Sequence, residues 1–133
     1  MLHKSTEAAI AAMSLLAEVY DAGERTLTAA EIAEQRSLQK PFVAKLLVGL
    51  SQAGLIRGTP GRHGGYRLAR PPEQIALADI AACFERRAPL EMCPFGQGHC
   101  GHGKPCPLHK DILRLRKDVE RFLGKTTLAV FKR

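Results

Sequence analysis

Residues 53–72 read AGLIRGTPGRHGGYRLARPP, and the predicted fold class depends on these residues because the helical periodicity of the chain gives way here to short strand-like segments. Leu55–Arg57 and Tyr66–Leu68 are short segments of the kind that form strands. Between them, Gly58–Gly65 contains four glycines and one proline, which predicts a mobile, basic hairpin loop. We therefore predict a β-hairpin over this stretch.

Three helices are predicted before the hairpin. Ser5 or Thr6 can cap the first helix, which carries an apolar face. Thr28-Ala29-Ala30-Glu31 fits a capping box that opens the second helix, and the third runs from about Gln39 to Ala53. Three helices followed by a β-hairpin is the element order of a winged helix-turn-helix.

The chain beyond the hairpin is predicted to hold a fourth helix over Leu77–Phe84, a cysteine-rich loop and a last helix. Apolar residues in the last helix recur at intervals of four and three, in a seam formed by Leu108, Ile112, Leu115, Val119 and Phe122. We expect this seam to dock on a second copy of the chain, the alternative being an amphipathic helix packed on its own domain. The predicted fold is mainly α with a small β-hairpin: a winged helix-turn-helix domain over residues 1–85, the cysteine-rich loop over 86–110, and a dimerisation helix with the C-terminal tail over 111–133.

Composition and length exclude several classes of protein. A chain of 133 residues is expected to form one domain, and no apolar run approaches the length of a membrane-spanning helix. Acidic residues interrupt the apolar N-terminal stretch, so we expect no signal peptide, a cytoplasmic location and no membrane partner. We find no nucleophile–base pair, paired carboxylates or phosphate loop, and therefore expect neither an enzyme nor a small-molecule substrate.

The basic residues are concentrated in one segment. Between Arg36 and Arg70 the chain has seven Lys or Arg residues and no Asp or Glu, which equals the net charge of the whole protein, +7. Such a local excess favours a polyanionic partner, and we expect double-stranded DNA. The alternatives are a solvated basic face and a winged helix that binds protein.

The predicted DNA contacts fall into two groups. In a helix-turn-helix, the second helix of the pair enters the major groove with its N-terminal residues towards the base edges. Gln39, Lys40 and Lys45 occupy this region of the third predicted helix. The hairpin supplies the other predicted contacts, to the minor groove or to phosphates, through Arg57, Arg62, His63 and Arg67.

A second constellation lies in residues 93–109, which read CPFGQGHCGHGKPCPLH. Cys93, Cys100, Cys106 and His109 are spaced C-x6-C-x5-C-x2-H, in a segment too poor in aliphatic side chains to form a core. In the cytoplasm, clustered cysteines of this kind favour a metal centre over disulfides. An iron–sulfur cluster is the first candidate and zinc the second, although the usual closely spaced zinc pairs are missing. A redox switch without metal is the third.

The chain resembles the family of bacterial winged-helix regulators that includes IscR, NsrR and RirA. The resemblance runs nearly end to end, and the segments that carry it are Ala53–Ile56, Gly64–Pro72, Ile75–Ile80, Thr126–Ala129 and the three-cysteine loop. It implies a homodimer bound to an imperfect palindrome, with a long helix after the loop forming the dimer interface. It also implies a cluster that changes DNA affinity according to iron, oxidant or nitric oxide.

The resemblance also implies a ligand set. Cys106-x-x-His109 is similar to the IscR pattern, in which three cysteines and one histidine hold a 2Fe–2S cluster, although the first gap here is one residue longer than is typical of IscR. In NsrR-like members the cluster is 4Fe–4S, and the fourth ligand is an acidic residue near the N-terminus of the partner subunit, close to the position of Glu7. We favour His109 and 2Fe–2S over Glu7 and 4Fe–4S. The expected function is a cluster-dependent transcriptional regulator, with a zinc-stabilised winged-helix module or a small iron–sulfur electron or cluster carrier as the alternatives.

Overall fold

A computed structural model describes residues 2–21, 25–85 and 106–132 of the chain. Within these ranges the elements are α1 (Lys4–Glu18), α2 (Ala29–Gln35), α3 (Lys40–Gln52), β1 (Ile56–Thr59), β2 (Gly65–Leu68), α4 (Leu77–Ala81) and α5 (His109–Lys125). Two short 3-10 helices, Pro72–Gln74 and Leu128–Phe131, precede α4 and follow α5. The predicted fold class, mainly helical with a small hairpin, is confirmed.

The capping box predicted from the sequence opens α2. The Thr28 hydroxyl oxygen accepts a hydrogen bond from the Glu31 backbone N–H at 3.1 Å, and a Glu31 carboxylate oxygen accepts one from the Thr28 N–H at 3.1 Å. The start of α1 differs from the prediction, because its N-cap is His3 and no side chain caps it. Thr6, one of the two predicted caps, is fully buried inside the helix.

The turn between α2 and α3 is fixed by a left-handed residue. Ser37 has φ 54°, its N–H donates to the carbonyl oxygen of Glu34, and the next N–H, of Leu38, donates to the carbonyl oxygen of Ala33 at 2.8 Å. This is a Schellman motif, which satisfies carbonyl groups at the end of a helix. The turn therefore ends α2 before α3 begins.

The core lies where α1 meets the other elements. Helix α1 contacts α2, α3, α4, β2 and the C-terminal 3-10 helix, and α2 packs against α3. The largest fully buried apolar side chains are Met13, Leu15, Ile32, Val43, Leu47, Leu50, Ile75, Ile80 and Leu128. The packing leaves one face of α3 and the loop of the hairpin at the surface, while Ile56 and Leu68 at the base of the hairpin belong to the core.

The hairpin is antiparallel and is tied to the loop before α2. Its register pairs Ile56 with Leu68 and Thr59 with Gly65. Leu27 bridges to Tyr66 through two backbone hydrogen bonds of 3.0 and 2.7 Å. A Cβ atom at Gly65 would come within 2.8 Å of the Leu27 carbonyl oxygen, so this close approach requires glycine.

Helix α4 is shorter than predicted, and the chain returns to it after α5. The predicted end was Phe84, but from Ala81 onwards the backbone turns through hydrogen bonds such as Phe84 N–H to Ala81 O at 3.0 Å. Beyond α5, the Leu128 N–H donates to the Ile75 carbonyl oxygen at 2.9 Å. Leu128 is fully buried, so the end of α5 is anchored to the winged domain.

Candidate functional site

The N-terminal half of α3 presents the predicted major-groove residues to solvent. Gln39 is the N-cap of the helix, and Lys40 is its first residue. Both are exposed, and so is Lys45, which lies on the exposed side of the following turn. The opposite side of α3 is buried through Val43, Leu46, Leu47 and Leu50, so the orientation of the exposed side is fixed by core packing.

The hairpin carries the second predicted group. Arg57 on β1 and Arg62 and His63 in the loop are exposed, whereas Arg67 on β2 is half-buried. A Cβ atom at Gly64 would overlap the carbonyl oxygen of Thr59, so the return of the loop onto β1 requires glycine. The loop carries Arg62 and His63 at the exposed tip of the hairpin.

Arg36 and Arg70 of the basic segment make hydrogen bonds within the chain. Arg36 donates to the Ala11 carbonyl oxygen at 3.0 Å, and to Ser14 Oγ and a Glu18 carboxylate oxygen at 3.1 Å each. Arg70 donates to the Gln74 carbonyl oxygen at 3.1 Å. These contacts use part of the segment's positive charge for structure. The sequence did not reveal the Arg36 contacts, because they join α1 to the end of α2 across more than 15 residues.

Sequence reasoning also missed an apolar component of the exposed face of α3. Ala44 and Val48 lie exposed beside Lys45, and the Val48 side chain is 53% exposed. The signal was present in the helical period, because positions 41, 44, 45, 48 and 52 fall on one side of a helix whose other side is buried.

Two of the four predicted metal ligands lie within the described chain. Cys106 is half-buried just before α5, and its Sγ accepts a hydrogen bond from the Leu108 N–H at 3.3 Å. His109, also half-buried, is the first residue of α5, and its N–H donates to the Cys106 carbonyl oxygen at 2.9 Å. Cys93 and Cys100 lie outside the described residues. Residues 2–21, 25–85 and 106–132 contain no group of three or more candidate ligands.

The alternative ligand Glu7 is exposed in the first turn of α1. The same turn binds Glu85, which precedes the cysteine segment in the sequence. A Glu85 carboxylate oxygen accepts hydrogen bonds from the Thr6 hydroxyl at 2.6 Å and the His3 N–H at 3.0 Å, and lies 2.6 Å from His3 Nδ1. Burial alone would raise the pKa of Glu85, but the contacts from Thr6 and His3 outweigh it and lower the pKa below its ordinary value.

Cys83 is separate from the predicted ligand set. It packs half-buried against the core, and its thiol donates to the Asp79 carbonyl oxygen at 3.5 Å. Burial, and then the charge of Asp79, raise the pKa of the Cys83 thiol. A raised pKa disfavours the thiolate that metal binding requires, so Cys83 is suited to packing.

Among the described helices, none has the length and apolar composition needed to cross a membrane.

Comparison with known families decides what kind of protein carries this surface. The family model of Rrf2, described as iron-dependent transcriptional regulators, matches residues 2–132. The chain belongs to the Rrf2 family. An Rrf2 relative in Neisseria meningitidis serogroup A, named as an HTH-type transcriptional regulator, is 34% identical over 120 residues, which are 90% of this chain and 79% of the relative. IscR of Cereibacter sphaeroides is 34% identical over 77 residues, 58% of this chain and 50% of that protein.

Solved Rrf2-type structures have the same fold. IscR of T. potens has a TM-score of 0.73 and 26% identity, with 97% of this chain and 83% of that chain covered. CymR of Staphylococcus aureus has a TM-score of 0.74 and 28% identity, with 96% and 93% covered. This Rrf2 protein is thus a winged-helix, DNA-binding transcription regulator and not an enzyme, as the sequence predicted.

Proposed function

We propose that this Rrf2 protein is an iron–sulfur-dependent transcriptional regulator that senses iron, redox or nitric oxide status. It acts in the cytoplasm as a homodimer on a palindromic operator. The observation that carries the proposal is the placement of Cys106 and His109 at the start of α5, a helix that exposes an apolar seam and is anchored to the winged domain at its other end.

The donor set fits a cluster by its chemistry. Thiolates and imidazole are established ligands of iron in 2Fe–2S centres. Cys106 and His109 are three residues apart at the N-terminus of α5, where the helix dipole favours a negatively charged ligand such as a thiolate. Cys93 and Cys100 complete the proposed set, and Glu7 of the partner subunit is the alternative to His109.

The proposed dimer interface is the seam of α5. Phe122 is 58% and Leu115 is 43% exposed, and only Leu123 of this helix is buried in the chain's own core. Leu115 and Phe122 are one heptad apart, and a helix that leaves large apolar side chains exposed at this interval gains stability by docking on a copy of itself. The partner we propose is therefore a second chain, related by a two-fold axis.

The proposed DNA surface combines α3 and the hairpin. Gln39, Lys40 and Lys45 would face the major groove, while Arg57, Arg62, His63 and Arg67 would hold the hairpin against the backbone or the minor groove. In a two-fold dimer the two copies of α3 must match half-sites about one helical turn apart, ~34 Å. Small changes in the dimer geometry would therefore change affinity.

The link between sensing and DNA binding runs through α5. When bound, a cluster would supply a redox- and nitric-oxide-sensitive group that crosslinks its protein ligands. Cys106 and His109 would transmit that crosslink to the first turn of α5, and the Leu128 backbone bond would carry it to the winged domain. A change in the position of the cysteine-rich loop would thereby change the distance between the α3 helices of the two subunits.

The first test is to purify the protein without oxygen, record its visible spectrum and measure iron, sulfide and zinc in the same sample. Brown protein with near-equal iron and sulfide is expected, and band shape separates 2Fe–2S from 4Fe–4S. Colourless protein with stoichiometric zinc would overturn the sensing mechanism in favour of a structural metal site. DNA binding with a steep salt dependence would exclude an electron or cluster carrier as the main role.

Cys100→Ala is expected to abolish the visible chromophore, and Cys83→Ala is the matched control. Both variants remove one thiol, but Cys83 packs against the core and lies outside the proposed ligand set. A full chromophore in Cys100→Ala would show the ligand assignment to be wrong. His109→Ala and Glu7→Ala, compared in the same assay, decide the fourth ligand.

A further inference from the structure

We propose that Ala44 and Val48 read thymine methyl groups in the major groove, so that this regulator recognises part of its operator by apolar contact. The inference rests on the proposed function, because it requires α3 to lie in the groove. It names residues outside the polar set predicted from the sequence and assigns them one chemical partner, the C5-methyl of thymine.

The apolar pair lies at the centre of the exposed side of α3. Ala44 and Val48 are one helical turn apart, with Lys45 beside them and Lys40 one turn before Ala44. Val48 is 53% exposed, whereas Val43, Leu46 and Leu47 on the other side of the helix are buried. Core packing therefore fixes which side of α3 the pair occupies.

Valine at position 48 gains little from the fold itself. A β-branched residue lowers helix propensity relative to alanine or lysine, and an exposed position recovers little burial free energy. No Asp or Glu occurs between residues 36 and 70, so neither α3 nor the hairpin carries an acidic side chain. An apolar side chain within a basic surface matches a partner that is negatively charged outside and has apolar groups inside.

The major groove of DNA has this character. Among the four base-pair edges, the thymine C5-methyl is the apolar group that side chains such as alanine contact. Ala44 and Val48 are about 6 Å apart along the helix axis, which corresponds to about two base-pair steps of ~3.4 Å. The geometry points to two thymines in each half-site, close to bases or phosphates held by Lys40 and Lys45.

The experiment begins by selecting bound duplexes from a random pool with the anaerobically purified protein. Each thymine of the selected duplex is then replaced by deoxyuridine, which removes only the C5-methyl. Affinities are measured for the wild type, for Val48→Ala and for Val130→Ala. Val130 is an exposed valine in the C-terminal 3-10 helix and serves as the matched control.

We expect at least one thymine at which deoxyuridine weakens the wild type and Val130→Ala by about fourfold per methyl, the affinity that burial of one methyl represents. Val48→Ala should bind the unmodified duplex more weakly and lose sensitivity at that position, which is the coupling that a double-mutant cycle detects. Circular dichroism checks that each variant is folded, and Val48→Thr, which replaces one methyl by a hydroxyl, should show a partial loss.

Two results overturn the inference while leaving the proposed function intact. One is tight, salt-dependent binding that no deoxyuridine substitution weakens. The other is an equal deoxyuridine effect in the wild type and Val48→Ala. Failure to bind any duplex would instead overturn the proposed function, and this inference with it.

Discussion

Ser37 adopts a backbone conformation that costs free energy in any residue with a Cβ atom. Its φ of 54° lies in the left-handed region, yet the Schellman bonds at the end of α2 require it. The corresponding position after α3 is occupied by Gly54, with φ 77°. Helices α2 and α3 therefore end with the same left-handed backbone geometry, which a serine adopts after α2 and a glycine adopts after α3.

Replacing Ser37 by glycine should stabilise the fold. We expect Ser37→Gly to raise the free energy of unfolding by about 0.5–1 kcal/mol, because relief of the left-handed strain exceeds the added entropy of the unfolded chain. Urea unfolding followed by circular dichroism would measure it. An unchanged or lower midpoint would show that the serine side chain compensates for the strain.

The same reasoning predicts that Gly54→Ala lowers the free energy of unfolding. A Cβ atom there would have nothing within 4 Å, so the expected loss of about 1 kcal/mol comes from the backbone alone. Gly124→Ala is the control, since Gly124 lies in α5, also has nothing within 4 Å, and should stabilise the helix by up to about 1 kcal/mol. If both variants changed stability in the same direction, the conformational explanation would fail.

The Thr6–Glu85 hydrogen bond should make stability depend on pH. Thr6→Val keeps the shape of the buried side chain but removes one donor to a carboxylate, so we expect a loss of about 2 kcal/mol at pH 7. Because the pKa of Glu85 is lowered in the folded state, this stabilisation is complete above the ordinary carboxyl pKa and is lost as the pH falls through the folded value.

The measurement for Thr6 is urea unfolding of both proteins from pH 7 down to pH 3. The difference between wild type and Thr6→Val should narrow towards acid. Thr59→Val, an exposed threonine on β1, is the matched control and should change stability by less than about 0.5 kcal/mol. A difference that stays constant with pH would rule out Glu85 as the partner responsible.

At the scale of elements, helices and hairpin could be predicted wherever the signal was local. The capping box of Thr28 and Glu31 and the glycine-rich hairpin both depend on residues a few positions apart. The start of α1 was predicted less well, because it depends on a distant contact. Thr6 bonds to Glu85, 79 residues away, instead of capping the helix.

The residues of the candidate site also differ in whether a local sequence signal identifies them. Exposed residues of α3 and the hairpin follow from helical period and turn composition, so Lys40, Lys45 and Arg62 could be named from the sequence. The intramolecular contacts of Arg36 and Arg70 could not, since charge counting does not reveal which cations are hydrogen-bonded within the chain. The ligand set of Cys93 and Cys100 remains a prediction, because both lie outside the described residues.

The hairpin and α3 should contribute to DNA binding in different ways. We expect Arg62→Ala to weaken binding about equally on all sequences and to reduce the slope of log affinity against log salt by about 0.9, as loss of one phosphate contact predicts. Lys40→Ala should instead change the order of preferred sequences. Titrations of selected and random duplexes at several salt concentrations separate the two effects, and a sequence-dependent loss in Arg62→Ala would contradict a backbone role for the loop.

At the scale of the whole molecule, the proposed dimer explains why α5 leaves Leu115 and Phe122 exposed, whereas Val119 of the same seam packs against the chain's own core. The chain's own core takes up Leu123 and anchors Leu128, while Leu115 and Phe122 remain at the surface. In a two-fold dimer the interface would bury Leu115 and Phe122 of both chains. Truncating the seam should therefore weaken association far more than it weakens folding.

The double variant Leu115→Ala and Phe122→Ala should raise the dimer dissociation constant at least about a hundredfold, given the free energy of burying two large side chains per copy. Sedimentation at several concentrations would measure it, with Val130→Ala as an apolar truncation outside the seam.

Binding to a full palindrome should fall sharply in the double variant, while binding to a single half-site should not change, because α3 and the hairpin are untouched. If the double variant were dimeric over the same concentrations as the wild type, the dimer interface would have to lie outside this seam. If the wild type were monomeric with its cluster bound, the coupling of the cysteine loop to half-site spacing would lose its physical basis.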